Sequence, residues 1–300
     1  MTDRATPNLF VLGAPKCGST TAHHVLAQHP SIWMSERKEA HYLCPEFQAS
    51  TSPIRTRAEY HALFAPGEGL AFRGESTPWY LYSESARSQI HHHYPEARFV
   101  VILRDPAAML HALHGELYFQ GMDSIASFEE ALDAGRRDRP RSEHWRKWDY
   151  RSWGDYATHL ERWFEAFPRE RFHVLFLDDL KADPEGEARK LHDFLGLPHA
   201  PTTVEKTNVA KTLRSGRLAK AMRSKGSPVR RAGKLLPAPA RRRLGRLAWE
   251  WNVQRGRRAP LEPALRASLT RELAPSVVRL EALLDTPLAS WRGAPETEAP

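Results

Sequence analysis

The chain has 300 residues, of which 41% are hydrophobic, and a formal net charge of +8 at pH 7. Its longest apolar run, Phe99 to Leu103, is far shorter than the roughly 20 residues that cross a bilayer. The segment MTDRATPNLF lacks the charged and then apolar regions of a signal peptide, and two cysteines are too few for a disulfide framework. These features predict a soluble, cytoplasmic protein with no integral membrane span.

Positive charge is concentrated in one stretch of the chain. Residues 205–258 contain 17 lysines and arginines but only two acidic residues, a local charge of +15, so the rest of the chain carries −7. Such segregation indicates an anionic partner: a nucleotide, an acidic glycan, a nucleic acid or a membrane surface. On charge alone, a solvated basic surface is an equally good explanation.

The first predicted elements are a strand, Leu9–Leu12, and a helix over about 19–28. The segment between them, GAPKCGSTT, joins a glycine turn to a helix N-terminus, an arrangement that binds phosphate through backbone N–H groups. Gly13 and Gly18 have the spacing of a nucleoside-triphosphate loop. In that pattern the lysine directly follows the second glycine, whereas here a serine follows it and Lys16 lies inside the loop. The displaced lysine makes a kinase or ATPase the weaker interpretation.

Strands and helices alternate along the chain as far as residue 197. Short apolar runs predict further strands at SIWM, within GLAFRGESTPWYLY, where Gly74 breaks the strand-like run, at FVVIL and at FHVLFLDDL. This alternation predicts an α/β, three-layer P-loop-like fold with a central parallel sheet flanked by helices. After residue 205 no strand is predicted. We therefore expect a single domain over 1–300, with an α/β core over 1–204 and a basic, mainly helical C-terminal portion over 205–300.

The FVVIL strand ends in Arg104, Asp105 and Pro106, and a helix follows. Because ligands of open α/β sheets gather at the C-terminal ends of the strands, Arg104 and the Lys16 loop are expected at the same edge. A kinase would also need a carboxylate for Mg²⁺. Asp105 and Asp178 are available, but the neighbours of Asp105 make it a poor metal ligand.

Several segments, in order, resemble the sulfotransferases that use 3′-phosphoadenosine-5′-phosphosulfate (PAPS). APKCGSTT resembles their 5′-phosphosulfate loop, and FVVILRDPAAML resembles their strand that ends in Arg-Asn/Asp-Pro before a helix. KEAHYL and GESTPWYL are similar to two stretches of the heparan-sulfate-type branch, and FPRERFHVLFLDDLKADP and LEALLDTPLASW to its bacterial relatives. The resemblance covers most of the chain, and the ordered set of segments is more specific than any one of them.

The resemblance implies PAPS-dependent, in-line sulfuryl transfer to a hydroxyl or amine of a glycan, a glycolipid or a small molecule, without a metal. Lys16 and the loop amides would stabilise the bridging oxygen and the leaving phosphate. Glu75 of GESTPWYL would be the general base. Implied cofactor-binding residues lie in the phosphate loop, at the end of the FVVIL strand and in the late KTLRSGRL segment: Lys16, Cys17, Gly18, Ser19, Thr20, Thr21, Arg104, Lys211, Arg214 and Arg217.

Candidate acceptor-binding residues lie in two segments: Lys38 and His41 in KEAHYL, and His111 and His114 on the helix after Arg104. A simple ion pair with Glu39 explains the presence of Lys38 nearly as well as contact with the acceptor does.

Two positions depart from the family pattern. Ala112 stands where a serine is usual, which removes a hydroxyl contact to the 3′-phosphate, and Ser76 stands where a lysine commonly follows the glutamate. Two other functions remain as alternatives: a metal-dependent P-loop nucleotide kinase, and a non-catalytic anion- or nucleic-acid-binding protein built on the basic portion. The favoured interpretation has a small-molecule or glycan acceptor and no nucleic-acid partner.

Overall fold

A five-stranded, wholly parallel sheet forms the centre of the molecule. This computed structural model describes residues 5–47, 54–136, 149–203, 211–223, 227, 237–256 and 259–293. In chain order the strands are β1 (Leu9–Gly13), β2 (Ile32–Met34), β3 (Phe72–Ser76), β4 (Arg98–Leu103) and β5 (Phe172–Phe176). They lie side by side in the order β2-β3-β1-β4-β5. The predicted α/β fold with a central parallel sheet is confirmed.

Helices flank this sheet, and further helices lie in the described part of the basic portion. Those in the described part of the chain are α1 (Ser19–Ala27), α2 (Arg57–Ala62), α3 (Glu84–His93), α4 (Pro106–Gln120), α5 (Phe128–Arg136), α6 (Tyr150–Gly154), α7 (Tyr156–Ala166), α8 (Leu177–Ala182), α9 (Pro184–Leu195), α10 (Gly216–Arg223), α11 (Ala238–Asn252), α12 (Pro263–Leu284) and α13 (Ala289–Arg292). A 3₁₀ segment, Pro78–Tyr82, connects β3 to α3. The predicted start of α1 at its serine is confirmed.

The sequences of the two central strands are apolar without interruption because both strands are buried. Every residue of β1 is buried, and so is every residue of β4 after Arg98. Phe99 of β4 stacks on Phe10 of β1 and packs against Trp163 of α7. Each large apolar side chain contributes roughly 1.5–3 kcal/mol by leaving water. This core holds the C-terminal ends of β1 and β4 at fixed positions, and the chain turns toward the candidate site from there.

Three details differ from the sequence-based expectations. Gly74, where the strand was expected to break, lies inside β3 and pairs with Leu9 and Met34 of the two neighbouring strands. A glycine suits this position because a Cβ would be 2.5 Å from Met34 Sδ. The LDDL segment after Phe176 is helical, with acidic residues in the first turn of α8, where they interact favourably with the helix dipole. The expectation of no strand after residue 205 is wrong.

Two strands of the basic portion, β6 (Lys211–Leu213) and β7 (Val253–Arg255), pair antiparallel. Each has three residues, which is too short for a periodic pattern to show.

The C-terminal helix α12 packs against α7 and α4. Its buried side chains recur at helical spacing: Leu269, Leu273, Val277, Leu280 and Leu284. Arg266 of α12 also forms an ion pair with Asp105 at the start of α4.

That the chain is a single domain, with its core ending at residue 204, remains a prediction. Within the described residues, no helix is both long enough and apolar enough to cross a membrane.

Candidate active site

The loop between β1 and α1 is tightly curved, and its two glycines are required by their surroundings. A Cβ at Gly13 would lie 2.8 Å from the Ile102 carbonyl oxygen of β4, so β1 and β4 approach more closely than any side chain allows. Gly18 has φ of 97°, and a Cβ there would lie 2.6 Å from Leu177 Cδ1. Lys16 also adopts a left-handed conformation, with φ of 64°. The neighbouring strand and helix therefore determine the shape of the loop.

The N-terminus of α1 is arranged to receive an anion. Gly18 caps the helix without a side chain that could accept its amide hydrogen bonds, and the first turn contains no acidic residue. The N–H groups of Ser19, Thr20 and Thr21 begin the helix at its positive end. Ser19 is buried and both threonines are half-buried. The sequence-predicted phosphate loop thus has the backbone geometry of an anion cradle.

Three basic side chains from separate parts of the chain meet at this loop. The Lys16 Nζ atom lies 3.2 Å from Oε2 of Glu116 on α4. Arg104, after β4, donates from Nη1 to the Lys16 carbonyl oxygen at 3.2 Å. Lys38, after β2, donates from Nζ to Ser19 Oγ at 3.2 Å. The expected meeting of Arg104 and the Lys16 loop at one sheet edge is confirmed.

An accessible carboxylate, that of Glu39, lies next to this basic cluster. The Lys38 Nζ atom is 3.2 Å from Glu39 Oε1, and His41 Nε2 is 3.6 Å from Glu39 Oε2. Partial burial raises the pKa of Glu39, but the neighbouring His41 imidazole and the positive charge of Lys38 outweigh it and bring this pKa to about 2. The Glu39 side chain is 44% exposed.

Sequence reasoning treated Glu39 only as an ion-pair partner of Lys38. The signal that could have identified it is its position in KEAHYL, between Lys38 and His41. Glu39 and His41 both have positive φ, and the Glu39 N–H donates to the Ser76 carbonyl oxygen at 2.9 Å. This hydrogen bond fixes the turn against the end of β3.

Glu75, the predicted general base, is completely enclosed. Its exposed fraction is 0%. Tyr80 donates to Oε1 at 2.8 Å, Thr77 donates to Oε2 at 2.7 Å, and Tyr60 of α2 also donates to Oε1. Burial raises the pKa of Glu75 above its ordinary value, although the three hydroxyl donors oppose the shift. In this geometry the carboxyl group joins β3 to α2 and the 3₁₀ segment. Its catalytic role remains a prediction.

The neighbour of Glu75, Ser76, faces α1. Its Oγ lies 2.9 Å from His23 Nδ1, and both residues are buried. Burial lowers the pKa of His23 to about 4, and the nearby charge of Lys38 contributes to the shift. His23 is therefore neutral at physiological pH. Ser76, which stands where the family commonly has a lysine, connects the end of β3 to the phosphate loop's helix.

Cys17 lies within the loop, where its N–H donates to the Ala14 carbonyl oxygen at 3.3 Å. Its side chain is fully buried, with Sγ 3.8 Å from Tyr156 Oη. Burial raises the pKa of this thiol to about 12, which leaves it protonated.

The two candidate acceptor histidines of α4 share a face, as their spacing predicts. That face packs on Phe128 of α5, with ring centroids 5.3 Å from His111 and 5.4 Å from His114. His114 is buried, and its Nε2 lies 2.9 Å from the Ile125 carbonyl oxygen. The structure therefore does not bring His114 to the phosphate loop. Acceptor contact by these histidines stays a prediction.

The late KTLRSGRL segment lies against α4. A Cβ at Gly216 would be 1.7 Å from Tyr118 Oη, so the turn into α10 rests directly on that tyrosine. The segment is held by Asn252, which is fully buried and exchanges two hydrogen bonds with the backbone of Ser215. Arg214 is exposed, with Cζ 5.2 Å from the Trp251 ring centroid. The backbone places Lys211 in β6 and Arg217 in α10, but their side chains lie outside the described residues.

The carboxylates proposed for a metal-dependent kinase have other partners. Asp105 caps α4 by accepting from the Ala108 N–H at 2.7 Å and pairs with Arg266. Asp178 pairs with Lys181 at 2.9 Å. In the described part of the chain, no group of three or more His, Cys, Asp or Glu side chains is arranged to hold a metal ion.

A cavity of about 670 Å³ opens beside Lys38. Its lining is aromatic, charged and apolar: Trp33, Glu36, Arg37, Lys38, Ala62, Leu63 and Pro66. The Trp33 indole N–H donates to the Leu63 carbonyl oxygen at 2.9 Å, which fixes the ring. An aromatic surface with a few polar groups suits a polar organic ligand.

Comparison with known proteins agrees with this geometry. Residues 6–234 match the sulfotransferase domain family. The bifunctional heparan sulfate N-deacetylase/N-sulfotransferase 1 of Caenorhabditis briggsae is 25% identical over 203 residues, which cover 66% of this chain and 23% of that protein. The human heparan sulfate glucosamine 3-O-sulfotransferase 6 is 25% identical over 201 residues, which cover 66% of this chain and 55% of that protein. The chain thus matches less than two thirds of the length of these curated relatives.

A solved structure extends the likeness to nearly the whole chain. The crystal structure of a sulfotransferase from Alicyclobacillus acidocaldarius has a TM-score of 0.72 and 26% identity, and the match covers 96% of this chain and 99% of that one. The family match includes the phosphate loop, Lys38, Glu39 and Arg104. The protein is therefore an enzyme of the sulfotransferase family.

Proposed function

We propose that this sulfotransferase uses PAPS as its donor and transfers the sulfuryl group to a hydroxyl or amine of a glycan. The observation that carries the proposal is the convergence of Lys16, Lys38 and Arg104 on a glycine-capped helix N-terminus. A sulfuryl group in transfer carries negative charge on its oxygens, and its leaving group is a phosphate. Fixed N–H donors and cations at those oxygens lower the barrier because they need no reorganisation during the reaction.

The residues of the chain fit this donor as follows. The amides of residues 18–21 and the Lys16 ammonium would hold the 5′-phosphosulfate. Arg104 donates from one nitrogen to the Lys16 carbonyl oxygen. The other nitrogens of its guanidinium would bind the 3′-phosphate. Ala112 supplies no hydroxyl for that phosphate, so more of the binding of the 3′-phosphate would depend on the arginines. Arg214 is exposed on the late segment beside α4 and would add a further cation from that side.

For the general base we favour Glu39 over Glu75. Glu39 is exposed, ionised at neutral pH and next to the lysine that contacts Ser19, whereas Glu75 is enclosed by three hydroxyl donors. In the reaction the acceptor oxygen or nitrogen forms a bond to sulfur, and the bond from sulfur to the bridging oxygen breaks. The acceptor's proton passes to the Glu39 carboxylate.

The low pKa of Glu39 belongs to the ligand-free site, where Lys38 stabilises the carboxylate. When Lys38 turns toward sulfuryl oxygens, Glu39 loses part of that stabilisation and becomes a stronger base. Lys38 thus has two roles, as a ligand of the transferred group and as a regulator of the proton affinity of Glu39. Glu75 positions the tyrosines and β3 behind this site.

A glycan acceptor is supported by the cavity beside Lys38. Trp33, which is held by its hydrogen bond to the Leu63 carbonyl oxygen, lines this cavity together with Arg37 and Glu36, and such a mixture of aromatic and charged groups suits a sugar. The relatives named above include enzymes whose names give heparan sulfate as their acceptor. A cytoplasmic location stays a prediction.

Thermal unfolding with adenosine 3′,5′-bisphosphate, compared with ATP and Mg²⁺, tests the donor. A ligand at about 100 times its Kd stabilises the folded protein by about 2.7 kcal/mol. We expect that stabilisation with the bisphosphate for the wild type and for Lys190→Ala, an exposed control on α9, but not for Lys16→Ala. Stabilisation by ATP and Mg²⁺ alone would contradict the proposal and favour the kinase. Sulfation of desulfated heparan oligosaccharides with PAPS then tests the acceptor class.

A further inference from the structure

Helix α11 exposes an apolar stripe that the catalytic site does not use. Leu244, Leu247 and Trp251 are 53%, 50% and 58% exposed. Their spacing of three and then four residues places them within about 60° of one another around the helix, at 100° per residue. Of the five large hydrophobic side chains that stand exposed in the described part of the chain, these three are on α11.

Residues outside the stripe account for the packing of α11. Trp249 lies 5.9 Å from Phe119 of α4, measured between ring centroids, and Asn252 at the C-terminus is fully buried. The helix is therefore attached to the protein through Trp249, Asn252 and contacts with α10. Arg214 lies over part of Trp251, while Leu244 and Leu247 face outward.

Arginines flank the stripe and also occupy the side of the helix opposite it: at about 100° per residue, Arg241 and Arg243 lie at its two edges, and Arg242 and Arg246 lie on the far side. Arg241, Arg242, Arg243 and Arg246 are all exposed. The single acidic residue of the helix, Glu250, lies 3.9 Å from Arg246, so its charge is balanced within the helix. The wider stretch, residues 205–258, carries +15.

We propose that α11 binds the surface of a membrane that contains anionic lipids, with its axis parallel to the bilayer plane. Leucine and tryptophan side chains enter the boundary between headgroups and acyl chains, while arginines contact lipid phosphates. An acidic polymer would be held by the arginines but would leave the stripe in water. An apolar protein partner would cover the stripe but would not explain the excess of positive charge. A bilayer surface satisfies both features, and this inference does not depend on the donor or the acceptor of the reaction.

Co-sedimentation with vesicles tests the proposal on the full chain. We expect the wild type to bind vesicles of phosphatidylcholine and phosphatidylglycerol at about 0.1 M salt, where surface charges still interact over ~10 Å, and not vesicles of phosphatidylcholine alone. The Leu244→Ser/Leu247→Ser variant should bind at least about tenfold more weakly, because two side chains no longer enter the bilayer. Val278→Ser, which changes an exposed valine of α12, is the matched control and should bind as the wild type does.

A variant with Arg241, Arg242, Arg243 and Arg246 changed to Gln should lose binding to the anionic vesicles. Unchanged melting temperatures and circular dichroism would show that these surface variants fold. Failure of the wild type to bind the anionic vesicles would overturn the proposal, and so would full binding by the leucine variant, since charge alone would then suffice. A wild-type dimer in gel filtration that the leucine variant converts to a monomer, without vesicle binding, would assign the stripe to a second copy of the chain instead.

Discussion

Two glutamates at neighbouring strand ends have opposite environments. Glu75 is sealed behind β3, where Tyr60, Thr77 and Tyr80 occupy its oxygens and burial raises its pKa. Glu39 lies in the exposed turn after β2, where Lys38 and His41 lower its pKa to about 2. A perturbed pKa thus occurs at both positions, but only one of them is open to an acceptor. The difference teaches that access and partners, more than the size or direction of a pKa shift, distinguish a candidate base from a structural carboxylate.

The largest expected effect is on turnover. Glu39→Gln should lower kcat by about 10²–10⁴, because the acceptor loses its proton acceptor, while the affinity for adenosine 3′,5′-bisphosphate stays within about twofold. Glu75→Gln keeps the shape of the buried group and should retain most of the activity. Steady-state sulfation at saturating PAPS, with calorimetric titration of the bisphosphate, measures both quantities. If Glu75→Gln has the large effect and Glu39→Gln the small one, the assigned roles must be exchanged.

A second test uses the pH dependence of stability. Because the pKa of Glu75 is raised in the folded protein, the folded state keeps this proton at pH values where the unfolded chain, with an ordinary pKa of 4.5, has lost it. The folded state then binds more protons, so this group makes the protein less stable as pH rises through that window. Glu75→Gln removes the dependence, and the variant should gain stability relative to the wild type between acidic and neutral pH.

Melting temperatures of both proteins over this pH range measure the difference. The matched variant Glu39→Gln should change in the opposite sense, because a carboxyl with a lowered pKa stabilises the fold above the ordinary pKa and loses that contribution as pH falls toward about 2. A constant difference between wild type and Glu75→Gln at every pH would mean that Glu75 does not titrate differently in the two states.

The smallest expected effect concerns Glu116, whose carboxylate holds Lys16 in the ligand-free site. Both side chains of this pair are partly exposed, and such pairs contribute about 0.2–1 kcal/mol. Glu116→Gln should therefore tighten binding of adenosine 3′,5′-bisphosphate by up to about fivefold. Calorimetric titration measures the change, with Glu250→Gln as a control at a distant ion pair. Weaker binding by Glu116→Gln would indicate that its carboxylate positions Lys16 for the donor.

The strongest sequence signals were those that depend on local order. The apolar runs of β1 and β4 and the glycine loop between strand and helix are contiguous, so the parallel sheet and the meeting of Lys16 with Arg104 followed from the sequence. The environment of Glu75 could not be predicted in this way, because Tyr60 reaches it from α2, before β3 in the chain. The burial of His114 and the pairing of β6 with β7 likewise depend on tertiary contacts.

The close approach of Gly13 to β4 has a consequence for the energetics of ligand recognition. The backbone of Gly13 and Gly18 packs closely against Ile102 and Leu177, and this packing favours the same loop conformation before and after an anion binds. Little conformational entropy is then lost at the phosphate loop on binding, and most of the intrinsic interaction energy there is available as affinity. Because this loop would hold the donor, adaptation to different acceptors would come from segments outside the loop, such as those that line the cavity beside Lys38.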